Sequence, residues 1–131
     1  MRALGQVLAA RLAPDGAIAA VACETGVLLL YDVTRPRPRE VKRVAAHFHH
    51  VLCLDWSPDG RFLVTGGADA VVSTWAEAAG WANATCFRLH EGYVRGVAWA
   101  PNGALVASCG SDMQASAPLC ACCCSVEIQS R

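Results

Sequence analysis

HFHHVLCLDWSPDGRFLVTGGADAVVSTW, residues 47–75, holds three short apolar runs separated by two turn-forming sequences. VLCLDW (51–56), RFLVT (61–65) and VVSTW (71–75) have the length and composition of strands, with SPDG and GGADA between them. Apolar runs this short, punctuated by Pro-Asp-Gly and Gly-containing sequences, are strands in hairpins and not helices. In SPDG the proline presets φ, the aspartate accepts neighbouring backbone N–H groups, and the glycine takes the positive φ.

The flanking sequence repeats this pattern. Upstream, QVLAARL (6–12), APDG, AIAAVA (17–22), CETG and VLLLYD (27–32) give the same alternation of strand and turn. VTRPRPRE (33–40) is a polar connection, and VKRVA (41–45) is a further strand. Downstream, a looser stretch, AEAAGWAN (76–83), precedes ATCFR (84–88), a strand candidate, and VRGVAW (94–99), APNG and ALVAS (104–108) start another copy. Pro14, Pro58 and Pro101 are 44 and 43 apart. Trp56 and Trp99, His47 and His90, and Asp69 and Asp112 are each 43 apart, and Tyr31 and Trp75 are 44 apart. Several landmarks in one register, with about four strands per unit, are the signature of a β-propeller blade.

These residues resemble the WD40 repeat family over about residues 3–112. The central unit matches best, with Ala46-His47 at the glycine-histidine position, SPDG as the first turn, and Trp75-Ala76 where the family closes with Trp-Asp. The resemblance implies an all-β fold, a propeller fragment of about two and a half to three four-stranded antiparallel blades. The expected organisation is a degenerate blade over 1–32, a basic linker and outer strand over 33–45, the best blade over 46–88, and an incomplete blade over 89–112. In the first unit Ala3, Val21, Thr25 and Tyr31 stand where the second has His47, Thr65, Asp69 and Trp75.

A hydroxyl, an imidazole and a carboxylate are also the parts of a nucleophilic triad. The resemblance instead implies a structural tetrad in which Asp69 accepts from His47, His47 contacts the Thr65 hydroxyl, and the Trp75 indole N–H completes the chain. His90, Ser108 and Asp112 repeat the first three members at the same offsets. A bracing device recurs with each blade, whereas an enzyme needs one active site. The expectation is therefore no catalytic residue and no cofactor. His47, His49 and His50 are close enough to suggest a metal, but they lack the four-ligand set of a structural zinc site, and no metal is expected.

Eleven Lys+Arg balance eleven Asp+Glu, so no global charge points to nucleic acid or an anionic membrane. Five of the basic residues cluster at Arg35, Arg37, Arg39, Lys42 and Arg43. Without interleaved aromatic residues this reads as a solvated edge more than a nucleic-acid groove. Cys23, Cys53, Cys86 and Cys109 lie singly in or beside apolar runs, which suits a reducing compartment better than a disulfide framework. Pro14-Asp15-Gly16 interrupts the apolar N-terminal stretch, so a cleaved leader is not expected. No apolar run reaches the length of a membrane span. The tail after Asp112, with Cys120, Cys122, Cys123 and Cys124, breaks register and is expected to be disordered.

Within the family, AHFHHVLCLDW (46–56), GGADAVVSTW (66–75) and TCFRLHEGYVRGVAWAPNG (85–103) are most similar to the THO complex subunit 3 branch. That likeness implies a nuclear scaffold of mRNA processing and export that meets RNA indirectly, through its complex. The functional expectation is a protein–protein interaction scaffold whose partners are other subunits of a complex, without a small-molecule substrate or a membrane. The alternatives are an adaptor of another complex, or direct RNA binding through 35–43. Localisation follows as nuclear, or otherwise cytoplasmic. The family's habit places partner contacts on loops at the entrance to each first strand, here His50, Tyr93 and Arg95.

Overall fold

The computed structural model describes residues 5–88 and 90–111, with 84 and 121–127 by backbone alone. Three antiparallel sheets stack face to face. The first has the order β1 (Val7–Leu12), β2 (Ile18–Cys23), β3 (Val27–Asp32), β4 (Arg39–Ala45). The second runs β5 (Val51–Trp56), β6 (Phe62–Gly67), β7 (Val72–Ala76), β8 (Ala82–Phe87). The third contains β9 (Val94–Trp99), β10 (Leu105–Ser111) and β11 (Ala121–Glu127), with β10 in the middle. No helix among the described residues is long and apolar enough to cross a membrane.

The turn chemistry repeats atom for atom. Asp15, Asp59 and Asn102 each accept, through Oδ1, the backbone N–H two residues on, at 2.9, 3.1 and 3.0 Å. Gly16, Gly60 and Gly103 follow with φ of 75°, 74° and 72°, a region where a Cβ is costly. Ser57 adds a second restraint, donating to Asp59 at 2.6 Å and accepting from the Phe62 N–H at 2.9 Å. Three equivalent hairpins thus start the three sheets in the same backbone geometry.

Because side chains alternate along a strand, a sheet can present two apolar faces, as the second does here. The first sheet lays Ala20, Ala22, Leu28 and Leu30 against Leu54, Trp56, Leu63 and Trp75 of the second. The second lays Phe62, Val64 and Val72 on its opposite face against Val94, Trp99 and Val106 of the third. β5 lies against β1 on one side and β9 on the other, so the first strands converge while the outer strands splay. Stacked this way, the sheets trace an arc.

Polar bonds pin both interfaces. The Trp56 indole donates to the Arg11 carbonyl at 3.0 Å, and the Trp99 backbone N–H donates to Asp55 Oδ2 at 2.8 Å. The backbone of Gly26, at φ 84°, accepts from the N–H groups of Ala46 and His47, tying the first sheet's turn to the loop that opens the second.

Two features depart from the sequence reading. AEAAGWAN, read as a loose stretch, contains a 3-10 turn at Glu77–Ala79 and places Trp81 in the core, edge-on to Trp56 at 5.3 Å. Trp81 takes φ 61° after the left-handed Gly80, and that reversal turns the indole inward. The tail, expected to be disordered, contributes β11, which pairs with β10 from Leu105↔Glu127 to Ser111↔Ala121. The expectation was drawn from a break in the side-chain pattern, whereas ladder pairing uses backbone N–H and C=O groups that every non-proline residue carries. Cys120 lies outside the described residues.

Trp56 tests the first interface. Trp56→Ala should cost about 3–5 kcal/mol. Trp56→Phe, which keeps most of the ring but leaves the Arg11 carbonyl without its donor, should cost about 1–3 kcal/mol. Urea unfolding of both variants reads the difference, and a Trp56→Phe variant as stable as the wild-type chain would contradict the assigned role of the indole N–H.

Candidate binding face

The loop 46–50 precedes β5, and a buried hydrogen-bond chain holds it in place. The Trp75 indole donates to Thr65 Oγ1 at 3.0 Å, and Thr65 Oγ1 lies 2.8 Å from His47 Nε2. His47 Nδ1 is 3.0 and 3.1 Å from the two oxygens of Asp69. Asp69 also accepts from the backbone N–H groups of Phe48 and Val71, both at 3.1 Å. One proton arrangement satisfies every partner: His47 is neutral, donates from Nδ1 to the carboxylate, and accepts the Thr65 hydroxyl proton at Nε2. Burial of the His47 ring pushes its pKa below the ordinary imidazole value and outweighs the opposing pull of Asp69. The pair is thus a charge-assisted hydrogen bond with a neutral imidazole.

Gly67 makes room for this ring. A Cβ there would lie 2.6 Å from both His47 Nδ1 and Asp69 Oδ1. Gly110 repeats the arrangement 2.7 Å from the His90 ring, and His90 Nε2 pairs with the Ser108 hydroxyl at 2.9 Å. Asp112 lies outside the described residues, and among those described His90 Nδ1 has no partner. In the first sheet Val21 holds the hydroxyl position, and no equivalent chain can form there.

The chemistry open to His47, Thr65 and Asp69 is narrow. Thr65 is 0% exposed and its hydroxyl serves both His47 and Trp75, so no substrate can reach it. Both ring nitrogens of His47 are engaged inward, which removes it from any ligand set with His49 and His50. Among the described residues no group of three His, Cys, Asp or Glu side chains is placed to hold a metal ion. Burial pushes the Cys53 thiol up to about 12, leaving it protonated and unreactive between the second and third sheets.

What the chain of bonds does is aim the loop. With Asp69 holding the Phe48 N–H and His50 O accepting from Ala68 N at 2.9 Å, the side chains of Phe48, His49 and His50 turn outward. The Ser111 N–H donates to Tyr93 O at 2.7 Å and fixes the matching loop of the third sheet. His49, His50, Leu52, Ala68, Tyr93 and Arg95 line a hollow of about 380 Å³ between the two loops. The Arg95 guanidinium lies over the Tyr93 ring, 5.7 Å from its centre. A shallower hollow of about 540 Å³ continues past Phe48 toward Arg88 and Glu91. All three expected loop residues, His50, Tyr93 and Arg95, line the first hollow. Phe48, 94% exposed, was not singled out from the sequence. Its signal was an aromatic residue isolated among histidines just before a strand.

Three antiparallel sheets stacked radially, with first strands inside and loops gathered at one end, define an arc of a β-propeller. The chain belongs to the WD40 repeat family: the family model "WD domain, G-beta repeat" matches residues 39–76 and 82–116. A rice protein (Oryza sativa subsp. japonica), the chromatin assembly factor 1 subunit FAS2 homolog, is 34% identical over 106 residues, which are 78% of this chain and 21% of that protein. The chain therefore spans about a fifth of the length of that relative. The solved structure of the RRP9 WD40 repeats superposes with a TM-score of 0.75 at 20% identity, covering 83% of this chain and 34% of that one. A chain of the mitotic checkpoint complex superposes with a TM-score of 0.67 at 28% identity, covering 74% and 31%.

Two measurements test the buried chain. Thr65→Val leaves His47 Nε2 and the Trp75 N–H without partners and should cost about 1–3 kcal/mol for each, read by urea unfolding. The unfolded chain binds a proton at the ordinary histidine value of about 6.5, and the folded chain binds it only at lower pH. The His47 contribution is therefore fully present above about pH 6.5 and is lost as pH falls through the lower, folded value. Unfolding midpoints compared between pH 7.5 and 5 should fall, and His47→Gln should flatten that slope. An unchanged slope in the variant would assign the pH response to other groups.

Proposed function

We propose that this chain is a non-enzymatic protein–protein interaction scaffold, acting as a subunit of a multiprotein complex through the loop face of its second and third blades. The observation that carries this reading is the hollow lined by His50, Tyr93 and Arg95 and flanked by exposed Phe48, on loops braced from beneath by buried hydrogen bonds. Tyr and Arg are among the residue types that dominate binding energy at interfaces, and stacking of Arg95 on the Tyr93 ring removes part of the ordering cost that a free arginine bears on binding. A family in which rigid blades carry variable loops suits that use.

The relatives support a subunit role at a coarse level. One is named a subunit of a chromatin assembly factor, and another is a chain within the mitotic checkpoint complex. The first name favours a nuclear setting for this chain. The finer reading, a THO-type subunit of mRNA processing and export, rests on the sequence likeness over 46–103, while the relative above carries a different name. We accordingly propose the nuclear subunit role and leave its complex to the binding experiment. RNA enters in this reading through the complex.

Direct RNA binding is the second reading. Arg35, Arg37, Arg39, Lys42 and Arg43 are all exposed along β4 and the turn before it. Arg43 is partly neutralised by Glu40, 2.7 Å away. Trp75 and Trp81 line a hollow with Lys42 and Arg43 but are themselves buried, and Tyr31 lies across from Glu40, so among the described residues no run of exposed rings for stacking bases accompanies the basic cluster, and that favours the scaffold.

Tagged wild-type chain and a Tyr93→Ala, Arg95→Ala double variant, compared by quantitative mass spectrometry of co-purifying proteins, test the proposal. Loss of two anchors at about 2 kcal/mol each should remove the principal partner while leaving the unfolding midpoint unchanged. An undiminished partner would sink the assignment of this face. Single-stranded RNA binding that weakens steeply with salt and vanishes on charge reversal at 35–43 would instead support the second reading.

A further inference from the structure

The first and second sheets meet along their inner strands and part toward their outer ones, and the opening between β4 and β8 is a groove of about 540 Å³. Both of its walls are sheets of this chain, so it exists wherever these two blades are stacked. In the β3–β4 ladder Lys42 lies opposite Leu30 and Val44 opposite Leu28. Directly opposed residues share a face, and Leu28 and Leu30 are buried against the second sheet, so Lys42 and Val44 face the groove. Across it, Ser73 lies opposite Cys86 and Trp75 opposite Asn83, on the face that Leu63 and Trp75 lay against the first sheet. Trp75 and Trp81, 4% and 9% exposed, form the floor.

Three of these side chains already use their donors within the chain. The Trp75 indole N–H goes to Thr65, and the Ser73 hydroxyl donates to Cys86 Sγ at 3.8 Å. Asn83 Nδ2 donates to the carbonyls of Thr74 and Thr85 at 3.3 and 3.2 Å. Lys42 is different. Glu40, its nearest carboxylate in sequence, lies opposite Tyr31 on the other face of the sheet and pairs with Arg43 at 2.7 Å. Among the described residues no carboxylate lines the groove, and none forms an ion pair with Lys42. The groove therefore sets an unneutralised ammonium beside an apolar floor, where attraction to an incoming anion is screened less than on an open surface.

We propose that this groove binds an extended acidic segment of a partner protein, with an Asp or Glu carboxylate pairing with Lys42 and a neighbouring apolar side chain resting on Trp75 and Trp81. The walls, residues 42–46 and 82–86, run about the length of five residues of extended chain. Charge and shape favour a peptide over RNA. One inward lysine answers one carboxylate, whereas RNA brings a phosphate with every nucleotide and binds where exposed rings can stack its bases. The groove shares no lining residue with the loop hollow around Tyr93 and Arg95, so this second surface stands apart from that one.

Lys42 is the only lysine in the sequence, which makes its amine addressable. Random peptides displayed on phage and selected on the full chain should be enriched in Asp or Glu beside Leu, Ile or Phe. Measured by fluorescence anisotropy, a selected peptide should bind the exposed-site variant Lys42→Glu about tenfold more weakly and Lys42→Arg as well as the wild type. The Tyr93→Ala, Arg95→Ala variant should bind it unchanged. Carbodiimide coupling of the bound peptide should form an amide at Lys42, located by mass spectrometry. Enrichment of basic sequences, the absence of any peptide sensitive to Lys42→Glu, or coupling at the N-terminal amine alone would overturn the proposal. So would a single-stranded oligouridylate that needs Lys42 when no peptide does, since the groove would then belong to nucleic acid.

Discussion

The second sheet of this chain is apolar on both faces, and a two-faced sheet in water has to be covered twice. Leu28 and Leu30 on one side of the arc, and Phe62, Val64 and Val72 further along it, are buried by the neighbouring sheet, not by their own. Repeat proteins obtain stability this way, as a sum of sheets and the interfaces between them. The other devices serve that stacking. The equivalent Pro-Asp/Asn-Gly hairpins start every sheet in one backbone geometry, and Trp56 and Asp55 place a polar bond at each interface. Gly66 keeps the second sheet close to the third, since a Cβ there would meet Val94 at 2.4 Å.

The chain from Trp75 through Thr65 and His47 to Asp69 stands one level above the stacking. It satisfies buried polar groups that would otherwise destabilise the second sheet, and it carries that order to the surface through the Phe48 backbone. The same three residue types at a solvent-accessible site could activate a nucleophile. Here Thr65 is sealed in the core and its oxygen is shared with an indole. Burial decides between bracing and catalysis, and it also keeps His47 neutral.

The loop face follows from both. Loops on a stacked support are free to vary, while the support holds their ends. His49, His50, Tyr93 and Arg95 come from two sheets and meet because the interface beneath them brings β5 and β9 together. The relatives share the support, and the chain spans about a fifth of the rice protein and about a third of the solved RRP9 chain. In the proposed reading, partner choice lies in the outward side chains.

The repeat was legible in the amino-acid order because its determinants are local. A 43–44-residue register of prolines, tryptophans and histidines, strand-length apolar runs and Pro-Asp-Gly turns specify hairpins without reference to distant residues. The tetrad residues were legible for the same reason, as positions in a repeating unit. The order of residues did not disclose that Trp81 enters the core, because a left-handed Gly80-Trp81 reversal aims its ring. It also did not disclose that residues 121–127 pair with β10, since backbone ladders carry no side-chain signature. Above all it left open whether His47, Thr65 and Asp69 would face water or the core. That choice belongs to the packing of one sheet on the next, which alone determines how deeply a side chain is buried.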